Sequence, residues 1–175
     1  MLVAHINFHV HIIVQRGFFC TFINLTSTSL KSMAFEKGSN AQPSTRKENM
    51  SHFTEIKTQI KDIEDLRLAC QELGLTLLHD TEARGYYENK TKGDYVVQLK
   101  GPYDIALNKQ PGGTFGLTAD LWQGHVEKEV GKGYGKLLQL YGVHKATIEA
   151  RKKGLSVLRR QQQNGAIKLV LMGVS

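Results

Sequence analysis

The chain has 175 residues, 41% of them hydrophobic and 22% charged, which suits one globular domain able to bury a core without staples. Its two cysteines, Cys20 and Cys70, argue against a disulfide framework and fit a reducing compartment. The net charge of +7 divides into +3 over residues 1–49, five basic against two acidic, and +4 over residues 50–175, too little by itself for a nucleic-acid footprint.

Residues 1–35 hold no acidic side chain, and the apolar stretch from His9 to Leu25 is interrupted at Gln15, Arg16 and Gly17. No run reaches the roughly 18 apolar residues that a membrane span requires. Residues 18–35 are rich in Ser, Thr and Phe, in the manner of an organelle transit peptide. Residues 36–49, EKGSNAQPSTRKEN, have no periodic apolar face and read as a disordered link. Residues 1–49 are therefore expected to be a leader outside the fold. The first reading is an upstream stretch brought in by an early start codon, with Met50 or Met33 as the start. A cleaved targeting peptide is the second, and a signal or anchor the third. His5, His9 and His11 have no carboxylate or thiolate near them and do not suggest a metal site.

Over residues 50–175 the spacing predicts a first strand at 53–60. A helix follows, with Asp62 as N-cap and Glu64 and Asp65 in its first turn, where the helix dipole favours anions. Ile63, Leu66, Cys70 and Leu73 form its buried stripe, and Gly74 stops it. Leu75–His79 reads as a strand and residues 80–93 as a polar connection. Tyr95, Val97 and Leu99 alternate as a half-buried strand, and Gly101-Pro102 marks a turn. Ile105 and Leu107 open another strand, which a Pro111-Gly112-Gly113 hairpin joins to Phe115, Leu117, Ala119 and Leu121. Val126, Val130, Tyr134, Leu137, Tyr141, His144 and Ile148 recur at spacings of three and four, which predicts a helix of about six turns. Arg151, Lys152, Lys153 and Gly154 end it. Leu155–Leu158 and Ile167–Leu171 pair across an Asn164-Gly165 turn. The order predicts an α+β two-layer sandwich, mainly antiparallel, with two helices on one face and a ferredoxin-like core with added strands as the specific expectation.

Candidate sites are few. Gly131-Lys132-Gly133-Tyr134-Gly135 lies inside a helical stripe and does not follow a strand, so it reads as a kinked helix start and not as a phosphate loop. Asp120 at a strand end and His125 just beyond it are candidates for an acid–base pair. His144, set in the apolar stripe, is a third, with a proton affinity near physiological pH. A structural role outweighs catalysis at each of them. Cys70 reads as a buried thiol. The histidines, His52 and His79 included, lack ligand spacing, so neither a metal nor a cofactor is expected. Tyr86, Tyr87, Arg84, Lys90 and Lys92 mix aromatic and basic groups as a nucleic-acid-binding loop does, but a solvated loop is the plainer reading and nucleic acid is not the expected partner.

The opening MSHFTEIKTQI, then DIEDLRLACQELGL, FGLTADLW, LLQLYGVHKA and NGAIKLVL, resemble a family of cyanobacteria and red-algal plastids known as hypothetical chloroplast open reading frame thirty-five. The resemblance spans 50–175, and members of that family begin at the position of Met50. It implies a soluble protein of the cyanobacterial cytoplasm or plastid stroma and carries no assigned activity and no catalytic residues. It also implies an accessory role, since similar bacterial genes stand beside a small ferredoxin and an AAA-type ATPase. The sequence reading is thus a small accessory or adapter protein working through protein contacts in a photosynthetic or redox-related process, more an adapter than an enzyme.

Overall fold

A computed structural model describes residues 9–14, 21–23 and 53–173 of the chain. The readings that concern His5, Cys20, Met33, Met50 and His52 fall outside those residues. The described chain is α+β with antiparallel pairing throughout, divided between a five-stranded and a four-stranded sheet.

In the five-stranded sheet β3 (Phe53–Lys57) pairs with β7 (Phe115–Asp120), followed in order by β6 (Ile105–Lys109), β5 (Lys90–Gln98) and β4 (Thr76–Arg84). Alternation drives this meander. Val97, Ile105, Leu107, Leu117 and Ala119 are fully buried in the main core, while Val96, Ala106 and Ala83 form a small cluster of their own. The polar connection expected over 80–93 is largely strand: β4 runs to Arg84 and β5 starts at Lys90, in continuous register from Thr76↔Gln98 to Arg84↔Lys90. Cross-strand bonding overrides the polar composition: one face of this hairpin arm is exposed, and the inner face is made by Thr81, Ala83, Thr91 and Gly93, residues too small or polar to read as an apolar alternation.

Helix α1 (Ile63–Glu72) buries Leu66, Ala69 and Cys70, as its stripe requires. Asp62 stands at the N-cap in an extended conformation, but its side chain makes no capping bond. Gly74, at φ +68°, ends the helix, and Leu75 N donates to Cys70 O at 2.9 Å. This is the left-handed stop that glycine accepts without steric cost.

The predicted six-turn helix is broken. A 3-10 turn at Trp122–Gly124 leads into α2 (His125–Val130), and a second at Lys132–Tyr134 leads into α3 (Gly135–Lys152). Gly131 sits at φ +81°, ψ 161°, a conformation essentially reserved for glycine. The stripe residues Val126, Val130, Tyr134, Leu137 and Tyr141 are nonetheless all buried. Helical turns on either side of the break keep the burial period while the chain changes direction.

The second sheet has the order β2-β1-β9-β8. β8 (Leu155–Gln161) and β9 (Ile167–Gly173) pair across the Asn164-Gly165 turn, with Gly165 at φ +79°. Ahead of residue 50, where the sequence predicts no element, β1 (His9–Val14) pairs with β9 from His9↔Met172 to Val14↔Ile167, and β2 (Thr21–Ile23) pairs with β1. No single ferredoxin-like sheet forms. β3 and β4, joined through α1, stand at opposite edges of one sheet, and β8–β9 belong to the other. The short connections of the β4–β7 meander place those four strands side by side and leave no gap for an inserted strand.

Candidate interaction surface

The three residues singled out as acid–base candidates sit in different settings. Asp120 is 1% exposed. Its carboxylate accepts from Tyr86 N at 3.0 Å and from Trp122 N at 2.9 Å, tying the β4–β5 hairpin tip to the end of β7. The rings of Tyr86 and Trp122 meet beside it, with centroids 5.6 Å apart. His125 opens α2, its ring edge-on to Tyr103 at 5.3 Å and its Nε2 3.3 Å from Gln123 Oε1. Burial, followed by the nearby Asp120 carboxylate, raises the Tyr103 phenol above its ordinary value. His144 belongs to another region: its Nε2 lies 2.9 Å from Glu72 Oε2 at the far end of α1.

Two carboxylates that the sequence reading passed over organise the fold around these groups. Asp104, 3% exposed, takes a two-pronged contact from Arg84 (Nε at 2.7 Å, Nη2 at 2.8 Å) and also accepts from Leu99 N at 3.0 Å. Glu129 on α2 accepts from Lys100 N at 2.9 Å and Gly101 N at 2.7 Å, holding the turn that precedes Asp104. An acid next to the Gly101-Pro102 turn and heading an apolar strand was the available signal for Asp104, because a carboxylate enters a core only when fully bonded.

The third such carboxylate is Glu72. It is the last residue of α1, where the helix dipole disfavours an anion. Arg159 of β8 compensates, with Nη2 at 2.6 Å from Oε1 and Nη1 at 2.8 Å from Oε2, and His144 of α3 adds its contact. The Arg159 bonds hold the Glu72 carboxyl below its ordinary value. The misfit of an acid at a helix C-terminus was readable, but its partner lies 87 residues away and no local pattern points to it.

This ion pair borders a cleft of about 260 Å³ lined by Glu72, Lys136, Gln139, Arg159 and Gln161 among others. The cleft opens beside β8, the terminal strand of its sheet. Leu155 and Val157 turn inward and pack on the core, whereas Ser156, Leu158 and Arg160 face solvent, with Leu158 40% exposed. Among the described residues no strand pairs with the outer edge of β8. Such an edge presents unpaired backbone donors and acceptors and is a template for another extended segment. Strand β4, at one end of the five-stranded sheet, is blunted: Asp80 has φ +46° in mid-strand, and Asp80 and Glu82 are paired internally with Lys92 and Lys90. Among the described residues there is no cluster of His, Cys, Asp and Glu that could hold a metal ion, and no helix is long and apolar enough to cross a membrane.

Comparison with known proteins adds relatives but no chemistry. Residues 69–170 match the family model described as "Protein of unknown function (DUF1257)". The chain is 31% identical over 126 residues to "Uncharacterized protein ycf35" of Guillardia theta, covering 70% of this chain and 96% of that protein. It is 29% identical over 126 residues to "Uncharacterized protein ycf35" of Pyropia yezoensis, with the same coverage of 70% and 96%. No solved structure matches.

Proposed function

Because the chain belongs to the ycf35 family, the proteins of unknown function that the DUF1257 model describes, we propose that it is an accessory or adapter protein that acts by binding another protein. The observation that carries this reading is the seven-residue edge of β8, unpaired among the described residues, beside the Glu72–Arg159 cleft. An edge strand with an exposed leucine is a template that an extended segment of a partner can use. Photosynthetic or redox-related machinery is the setting proposed, in the cyanobacterial cytoplasm or plastid stroma. The support for it is the resemblance of the chain to a cyanobacterial and plastid family.

The test is affinity capture of the tagged full chain from its own cells without oxygen, followed by mass spectrometry and size-exclusion chromatography of the extract. A protein retained in near-stoichiometric amount and co-eluting with the chain is the expected result. A chain that elutes as an unassociated monomer and retains nothing removes the accessory reading.

A further inference from the structure

The charge on β8 and β9 narrows the kind of partner. Residues 151–175 contain six basic side chains and no acidic one. Lys152 is paired with Glu149, and Arg159 with Glu72. Arg160 and Lys168 make no ion pair with a described residue, and they stand directly opposite one another in the β8–β9 register. By the two-residue period of the strands both lie on the face of the sheet that carries Leu158, opposite the face from which Val157 packs on the core. Two cations facing each other across an antiparallel pair are unfavourable, and the fold supplies no described carboxylate to relieve them.

We propose that the outer edge of β8 binds an extended, acidic segment of a partner protein, which adds to the four-stranded sheet as a further strand. The proposal deepens the accessory reading and rests on it. In this arrangement the partner's backbone bonds to the free edge of β8 over Leu155–Gln161. Its side chains alternate between the two faces. Those on the outer face meet Leu158 and the Arg160–Lys168 pair, where alternating apolar and acidic groups fit. Those on the inner face reach the cleft, where Lys136 stands beside the neutralised Arg159 and accepts a further carboxylate.

The composition of the strands argues against the other occupants. A second copy of β8 would bring Arg159 and Arg160 against their own kind, and like charges disfavour self-pairing. Single-stranded nucleic acid is held on sheets by aromatic side chains on which bases stack, and β8 and β9 contain none.

The experiment titrates the full chain into labelled synthetic peptides of about ten residues, long enough to span the strand. One alternates glutamate with valine and threonine, and the other carries lysine in place of glutamate. An oligouridylate of similar length is the third probe. Hydrogen exchange locates the binding. The glutamate peptide is expected to bind about tenfold more tightly than the lysine peptide and to slow exchange over 155–161, and Arg160→Glu is expected to weaken it about tenfold. Arg160→Glu places opposite charges across the pair with Lys168, so it folds. Lys109→Glu, an equal change of net charge at the exposed last residue of β6, is expected to leave binding as it is. Equal affinity for the lysine peptide, protection away from β8, tighter binding of the oligouridylate, or dimerisation through β8 each overturns the proposal. A cellular partner that Arg160→Glu still retains also overturns it while leaving the accessory reading intact. The capture of no partner at all removes the accessory reading itself.

Discussion

At the scale of single residues, the core holds a polar atom whose presence costs stability. Tyr134 is 1% exposed, its hydroxyl has no hydrogen-bond partner among the described residues, and its backbone lies at φ +60°. Burial, reinforced by Glu127, pushes the phenol up to about 12. A buried hydroxyl without a partner loses its hydration for no return, and a left-handed backbone at a bulky residue adds strain. Tyr134→Phe keeps the ring and removes the hydroxyl, so it is expected to stabilise the fold by about 1 kcal/mol, read as a shift in the urea midpoint at unchanged slope. A loss of stability would show that the hydroxyl has a partner in solution. Tyr134 itself was legible as a stripe position, because apolar spacing reports burial. Its hydroxyl and its φ were not, because neither depends on spacing. Cys70 is the contrasting case. Its burial in the α1 stripe was readable, and the same burial raises its thiol to about 12, which leaves almost no thiolate for chemistry at neutral pH.

Among the elements, the break between α2 and α3 is where periodicity and backbone freedom compete. The apolar spacing from Val126 to Ile148 is satisfied on both sides of Gly131, so burial alone could not reveal the break. The glycines could have, because a helix interior has no use for Gly131, Gly133 and Gly135 together. Gly131 and Gly133 are not equivalent. A Cβ on Gly131 would lie 3.0 Å from Lys136 N at φ +81°, whereas one on Gly133, at φ +57°, would meet nothing within 4 Å. Gly131→Ala is therefore expected to cost about 3 kcal/mol and Gly133→Ala about 1 kcal/mol, both measured by chemical denaturation. Equal costs would mean that the turn relaxes around either side chain. The other strands after residue 50 and α1 were legible because two- and three-to-four-residue periods translate directly into faces, whereas β1 and β2 were not read as elements. The extension of β4 and β5 through 80–93 was not, because the inner face of that arm is made by Thr81, Ala83, Thr91 and Gly93, which do not stand out as apolar positions.

Across the whole molecule, the Glu72–Arg159 pair with His144 links α1, α3 and β8, and so joins the four-stranded sheet to the helix that connects β3 and β4 of the five-stranded one. Every partner is partly exposed, with side chains between 23% and 39% accessible, so solvent screening keeps the contribution of the pair to about 1 kcal/mol. Its dependence on pH is the sharper test. The Glu72 carboxyl is held below its ordinary value, first by the hydrogen bonds from Arg159. The stability it contributes is therefore fully present above the unfolded value of about 4.3 and is lost as pH falls through the lower folded value. Glu72→Gln removes the charge at all pH values. The variant is expected to be less stable than the natural chain at pH 7, and the two denaturation curves should converge as the pH falls below the ordinary carboxylate range and the natural Glu72 becomes protonated. A gap that stays constant into that acid range would mean that Glu72 acts by packing alone. A gap that closes would establish that charge couples the C-terminal end of α1 to the strand whose outer edge is open.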